Sequence, residues 1–344
     1  MQLTLFRLQP HGAFHFGAHG IEMEAVLETC PSDTLYAALT WHAIQRGDSW
    51  AREASTTTPL PPFRVSSCFP YVGTMQLFPL PLLPPPTTEQ QQPGERKLFK
   101  KIRFVSTMVF RRLLAGGSLR EFFAPDVGTF LQGGSVLTSK AECEAAHWPS
   151  DKPLWQTETI PHVAVDRISN ASAYYETGQI RFNAGCGLAV LANGDTTALH
   201  SLLRDVGYAG LGGRRSKGVG QFEVALGEPI ELPSATSERQ VLLSRYLPTQ
   251  AELDATPNIL GDKAAYALED VTGWLYAPGT RAQRRQSIWM IAAGSTLHSA
   301  TNTPPRGDIV DLRPIYASDT GAPHHAVWRH GLALTVGAPL QEDV

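Results

Sequence analysis

Polar and apolar residues alternate over residues 2–9: Leu3, Leu5, Phe6 and Leu8 against Gln2, Thr4, Arg7 and Gln9. A period of two predicts a first strand. Beyond Ser32-Asp33 the spacing changes. Leu35, Ala38, Leu39, His42 and Ala43 share one side of a helical period, which predicts a helix over 34–47. Ser32 and Asp33 suit its cap, and the cap reading of Asp33 is preferred to a catalytic one. Residues 63–72 read as a strand ending in turns, 78–86 are too proline-rich for helix, and 90–97 are polar and expected to be mobile. Residues 102–114 fit strand or helix equally, and 115–155 read as a long irregular insertion. Residues 162–191 read as a β-hairpin arm that leaves the core and returns, with a turn at Thr177-Gly178 and a further strand over 187–191. A helix over 198–208 and a strand over 222–226 complete the order βαββαβ, which is ferredoxin-like with insertions.

The Pro/Ser/Thr-rich stretch 228–237 reads as a linker. Strands are expected at 241–246, 274–276, 287–293, 295–298, 309–312 and 331–336, with a helix in the later half of 253–268. The expected class is α+β. Two ferredoxin-like domains are predicted, at 1–230 and 231–344, the first carrying the long insertion and the projecting hairpin.

Between the last helix and strand of the first domain lies Gly-Leu-Gly-Gly-Arg-Arg-Ser-Lys-Gly-Val-Gly, residues 210–220. Its five glycines offer backbone N–H groups, and Arg214, Arg215 and Lys217 offer charge, the combination that binds phosphate. The mononucleotide motifs fail. Gly213 and Gly218 have the Walker gap, but Val219 stands where Lys is required. Gly210 and Gly212 lead to Arg215, and Gly218 and Gly220 to Glu223, so neither completes a dinucleotide fingerprint. The loop also leaves a helix and enters a strand, the reverse of the usual order. An extended polyanion across the loop remains, against the alternative of a plain flexible turn.

A net charge of −3 over 344 residues excludes a wholly basic nucleic-acid binder, so any such binding is local. Further basic clusters stand at 97–103, at Arg111 with Arg112, and at Arg281 with Arg284 and Arg285. Hydrophobic content of 42% suits an ordinary core, while 30 Gly and 26 Pro imply many turns. Cys30, Cys68, Cys143 and Cys186 form no C-x-x-C pair, so reduced structural thiols in a cytoplasmic protein are expected. No signal-peptide pattern opens the chain, and no apolar run approaches the roughly 20 residues of a membrane span, so no membrane partner is expected. His11, His15 and His19 recur every fourth residue, but Pro10, Gly12, Gly17 and Gly20 disfavour the helix that would make them a metal face. Phe14, His15 and Phe16 instead suit stacking on unpaired bases beside a phosphate groove. Arg167, Tyr174 and Tyr175 of the arm suit phosphate and base contacts, a structural Asp166–Arg167 ion pair being the equal alternative.

An ordered set of stretches carries a family resemblance: Phe14-His-Phe-Gly17 with Gly20, Ser32-Asp-Thr-Leu35, Phe69-Pro-Tyr71, Val165-Asp-Arg167 and the Gly-rich loop. Leu243-Ser-Arg-Tyr-Leu-Pro248, Gly273-Trp274, Met290 with Gly294-Ser295, and Val310-Asp311 continue it. In this order they resemble the RAMP superfamily of CRISPR proteins, whose domains are ferredoxin-like (RRM-like). More closely they resemble the fourth Csm subunit, the 5′-tag-binding, Cas5-like component of type III-A effector complexes. The insertion and the Gln/Pro tract near 90 carry no family signal, and the equivalent type III-B subunit is the nearest competitor.

The resemblance implies a non-catalytic, cofactor-free subunit in antiviral defence. Such a subunit grips the 5′ repeat-derived tag of the CRISPR RNA (crRNA). It joins the large cyclase/polymerase-like subunit to the backbone RAMP filament, and meets target RNA indirectly. The hairpin is expected to intercalate at the first guide segment. The residues implied for RNA are Phe14, His15, Phe16, Gly17, Ser32, Tyr71, Arg167, Tyr174, Gly210, Gly212, Gly213, Arg214, Arg215, Ser216, Lys217, Gly218, Gly220 and Arg245. The competing reading is a RAMP endoribonuclease that processes precursor crRNA, kept open by His15, His19 and His42.

Overall fold

The computed structural model describes residues 1–18, 24–83, 95–275, 283–299, 302–315, 323 and 325–338. The alternating opening forms β1 (Gln2–Pro10), with Leu3, Leu5 and Leu8 buried. Helix α1 (Ser32–Arg46) follows, starting behind Pro31 and closed by Gly47 in the left-handed conformation. Next come β2 (Phe63–Val65), β3 (Phe69–Val72), β4 (Met75–Pro79) and α2 (Glu95–Lys101).

The ambiguous stretch 102–114 is both things in turn: β5 (Phe104–Ser106) runs straight into α3 (Thr107–Leu114). The stretch expected to be an irregular insertion is ordered. It contains β6 (Gly128–Leu131), β7 (Val136–Ser139) and α4 (Lys140–Ala145). Its strands are short and flanked by glycines, so no period stands out locally, yet β7 pairs in parallel with β5 and extends the main sheet.

The arm is β8 (Trp155–Val165) and β9 (Ser172–Phe182), paired without a break from Trp155↔Phe182 to Val165↔Ser172. Thr177-Gly178 is therefore strand and not the expected turn; the chain reverses at 166–171. Eleven residues per strand give an arm about 35 Å long. β10 (Cys186–Gly194), α5 (Thr196–Ala209), β11 (Phe222–Leu226) and β12 (Ile230–Glu231) complete the first part.

The large sheet runs β11-β1-β10-β3-β4-β5-β7-β6, with β12 beside β1 and β2 beside β10. Its centre, β10, is apolar along most of its length, as a strand covered on both faces must be. Helices α1 and α5 pack against each other, and α5 also covers β1 and β11.

After β12 come β13 (Arg239–Leu242), α6 (Gln250–Asp254), β14 (Leu268–Val271), β15 (Trp274–Leu275), β16 (Gln283–Arg284), β17 (Ile288–Ile291), β18 (Thr296–His298), β19 (Ile309–Asp311), β20 (Trp328–His330) and β21 (Thr335–Gly337). They make one three-stranded sheet, β18-β13-β21, and two-stranded ribbons β14-β17, β15-β16 and β19-β20. A second ferredoxin-like sheet does not appear among the described residues. The helix expected late in 253–268 is absent there too; α6, capped by Thr249 with Glu252, precedes it and ends after five residues. This half has short apolar runs cut by Pro and Gly, which favour ribbons over helices. Its buried Val241, Leu243, Leu334 and Val336 belong to the same apolar core as β1, β10 and α1.

Candidate nucleic-acid interface

Three segments meet at His15. Phe14 pairs with Ile180 of β9 through two backbone bonds of 2.8 Å each, which ties residues 11–18 to the root of the arm. The His15 carbonyl accepts from Gly213 N–H at 2.8 Å, and its Nδ1–H donates to the Gly178 carbonyl at 2.7 Å. The imidazole packs against Gly213, where a Cβ would lie 2.6 Å from its Cδ2. Gly212 has φ +91°, and a Cβ there would stand 2.5 Å from the His15 carbonyl. Only glycine meets both demands.

The Gly-rich loop is thus a built element. Leu211 N–H bonds to the Gly220 carbonyl at 2.9 Å and closes its neck, and Gly220 N–H bonds to Ala13 at 2.8 Å. Between them, residues 215–217 form one tight turn, with Arg214 at φ +61° and Gly218 at +76°. The expected row of bare backbone donors needs correction. Gly210, Gly213, Gly218 and Gly220 N–H groups are already used, by Val206, His15, Arg215 and Ala13. What the loop has to offer a phosphate is therefore chiefly its side chains. Ser216 and Lys217 are exposed at the tip, and Arg214 and Arg215 are half-buried at its base. The Arg214 guanidinium lies 5.4 Å from the Tyr175 ring centre, and His162 stacks on that ring at 5.1 Å. The loop's cations and the arm's lower surface are continuous.

On the arm, Arg167 sits in the exposed tip and Tyr174 is exposed on β9, its hydroxyl bonded to Glu176. The equal alternative at the tip is not realised as an ion pair. The Asp166 carboxylate instead accepts from Ile168 N–H at 3.0 Å and the Ser169 hydroxyl at 2.7 Å, which holds its pKa below the usual carboxylate range. Gly17 is exposed at the end of its loop; His19 and Gly20 lie outside the described residues.

Other predicted contacts belong to the core. Phe14 and Phe16 are buried and stack on each other at 5.3 Å. Tyr71 is buried beneath Arg7, whose guanidinium is 5.4 Å from the ring centre, and burial raises its pKa. None of these three rings offers a face to a base, because the sheet needs them as apolar filling.

Ser32 and Arg245 are also buried, across the junction of the two halves. The Ser32 hydroxyl accepts from Arg245 N–H at 2.9 Å. Asp33 is not the helix cap. Its Oδ1 lies 2.9 Å from Arg245 Nη1 and its Oδ2 3.0 Å from Arg329 Nη1. Arg245 Nε also donates to Glu269 at 2.7 Å. Two carboxylates thus face two guanidiniums, and no charge is left for RNA. Burial lowers the pKa of Arg329 despite Asp33, whereas at Arg245 the two carboxylates outweigh burial and raise it.

The sequence reading missed a cleft of about 570 Å³ beside the loop, lined by α1, residues 210–213, Arg215 and residues 270–275. Trp41, Trp274 and Arg285 line it as well. Gly273-Trp274 had carried part of the resemblance, but nothing local tells that Trp274 faces α1.

Comparison with known proteins gives the class first. A Csm3–Csm4 subcomplex from the type III-A CRISPR-Cas interference complex superposes with TM-score 0.62 at 18% identity, covering 99% of this chain and 100% of the other. A Csm1–Csm4 cassette in complex with cA4 gives 0.57 at 19% identity and the same coverage. The fold is that of a type III CRISPR subunit. The sequence similarities are to Csm4 proteins. Residues 235–338 match the family model for the CRISPR Csm4 C-terminal domain. The CRISPR system protein Csm4 of Mycobacterium tuberculosis (strain CDC 1551 / Oshkosh) is 29% identical over 331 residues, 92% of this chain and 95% of the relative. That of Thermococcus onnurineus (strain NA1) is 25% identical over 293 residues, 82% of each chain. The resemblance to the fourth Csm subunit, Csm4, is borne out by all three comparisons.

Proposed function

We propose that this chain is the non-catalytic subunit that holds the 5′ repeat-derived tag of crRNA in a type III-A Csm complex. It bridges a large, Csm1-type subunit to a Csm3-type backbone in antiviral defence, in the cytoplasm, and meets target RNA through that assembly. The structures of Csm4 with Csm1 and with Csm3 support the partners. The order β11-β1-β10-β3, with α1 after β1 and α5 after β10, supports a ferredoxin-like first domain at 1–230.

The observation that carries the RNA reading is the convergence at His15 of the basic loop, residues 11–18 and the arm. It sets cations where a strand can cross from the loop to the hairpin. Phosphate contacts position a strand without reading its sequence, which suits a subunit that must hold the same tag on every guide. The non-catalytic reading is supported by two of the candidate catalytic groups. Asp33 is consumed by two arginines, and His15 Nδ1 by the Gly178 carbonyl. The test replaces Arg214, Arg215 and Lys217 with Ala in the assembled complex. Less crRNA co-purifies, or the tag becomes sensitive to nuclease. Unchanged RNA content with full tag protection overturns the reading.

A further inference from the structure

The arm is a two-stranded ribbon, and such a ribbon by itself is only marginally stable in water. Its root is fixed: Phe14 pairs with Ile180, and His15 Nδ1–H donates to the Gly178 carbonyl. Beyond the root, every residue from 163 to 174 is exposed. His162 and Tyr175 stand directly opposite each other where that free length begins. Their rings stack at 5.1 Å with 21° between the planes. His162 Nε2 shares a hydrogen bond of 3.0 Å with the hydroxyl of Thr177, which is buried at the root. The imidazole is thus held from below, and it holds the Tyr175 ring in turn.

The same ring receives the Arg214 guanidinium, 5.4 Å from its centre. Arg214 reaches it from the Gly-rich loop with a backbone φ of +61°, a left-handed conformation that few residues other than glycine adopt. The turn keeps it so, since Lys217 N–H bonds to the Arg214 carbonyl at 2.8 Å. Ser216 and Lys217, by contrast, are exposed.

We propose that Tyr175 and Arg214 are positioning residues: their contact latches the arm onto the basic loop and fixes the distance from the loop to the arm's tip. The inference rests on the RNA-holding role proposed above and divides the loop's cations, Arg214 setting the arm while Lys217 stays open to phosphate. A strand gripped at the loop then meets the arm at one place only. A guanidinium suits this task, because it keeps its charge at any physiological pH and lies flat on an aromatic ring.

The test measures the distance between spin labels on Ser216→Cys and Ile168→Cys in the full-length chain, whose four native cysteines are buried. With Tyr175 in place the distances form one narrow population. Tyr175→Leu spreads them, lowering the ratio of latched to unlatched chains about 2- to 5-fold, the range for loss of an exposed cation–π contact. Tyr175→Phe restores the narrow population. Arg214→Asn tolerates a left-handed backbone and lacks the guanidinium; it spreads the distances as Tyr175→Leu does, and the double replacement adds nothing. In the assembled complex, Tyr175→Leu retains its crRNA but loses the sharp limit of nuclease protection beside the arm. Unchanged distances in Tyr175→Leu, a spread that Arg214→Asn does not reproduce, or a sharp protection limit despite the spread overturns the inference. If the Arg214/Arg215/Lys217 replacement loosens the RNA while Tyr175→Leu leaves the distances narrow, only this inference fails. If that replacement leaves RNA content and tag protection unchanged while Tyr175→Leu spreads the distances, the latch stands and the RNA-holding reading fails.

Discussion

Two arginine-bearing regions invite the same use and differ in how accessible their guanidiniums are. In the Gly-rich loop, Arg214, Arg215 and Lys217 ride on a turn anchored through the N–H groups of Gly210, Gly213, Gly218 and Gly220; Lys217 is exposed and Arg214 lies against the arm. At the junction of the halves, Arg245 and Arg329 are buried and closed around Asp33 and Glu269. A guanidinium serves RNA only where it keeps access to solvent. Buried and paired, it ties the two halves together, and removing its partner is costly because a charge is then stranded in the core.

The largest effect is expected at the buried cluster. Asp33→Ala strips Arg329 of its carboxylate, leaves Arg245 with Glu269 alone, and costs about 3–5 kcal/mol in urea unfolding. Loss of under ~1 kcal/mol would show that the cluster does not hold the junction.

The same junction carries an acid sensitivity. His330 is buried, stacked on Tyr36 at 5.0 Å, with Nε2–H donating to the Pro59 carbonyl at 3.2 Å. Desolvation lowers its pKa from 6.5 to about 4. The unfolded chain therefore binds the extra proton first. Stability is intact above pH 6.5 and falls as pH drops toward 4, by on the order of 3 kcal/mol in all. In His330→Gln, unfolding midpoints flatten over that window; an unchanged acid limb would refute the assignment.

The loop triple replacement inverts this pattern. Stability moves by no more than about 0.5 kcal/mol, while the salt slope of RNA binding falls by up to ~2, at about 0.7 for each phosphate no longer neutralised. A stability loss like that of Asp33→Ala would make the loop a structural element and erase the contrast.

The smallest effect belongs to the arm's tip. Ile168 is almost wholly exposed, so Ile168→Ser changes stability by less than about 0.5 kcal/mol. If the hairpin enters the guide, as the family resemblance implies, the variant instead extends guide–target pairing past the tag boundary, readable by nuclease footprinting of the complex.

Much of the first half was legible because its signals are local. Alternation marked β1, the apolar face marked α1, and Gly-rich chemistry marked the loop between α5 and β11. The arm was legible in existence but not in register: Thr177-Gly178 looks like a turn, yet Gly178 is a strand glycine close-packed on the Glu24 backbone. Residues 115–155 were illegible because β6 and β7 acquire their meaning only by pairing with each other and with β5.

The sequence by itself determined β1, α1, the existence of the arm, α5, β11 and the basic loop and, through ordered motifs, the family resemblance. These depend on neighbours a few residues apart, where periodicity and backbone preference act. Only the tertiary structure decided which aromatic rings and cations are accessible. Phe14, Phe16, Tyr71, Ser32 and Arg245 turned inward; Trp41 and Trp274, far apart in the chain, came to line one cleft. Accessibility is set by packing between distant segments, and residue type alone does not carry it.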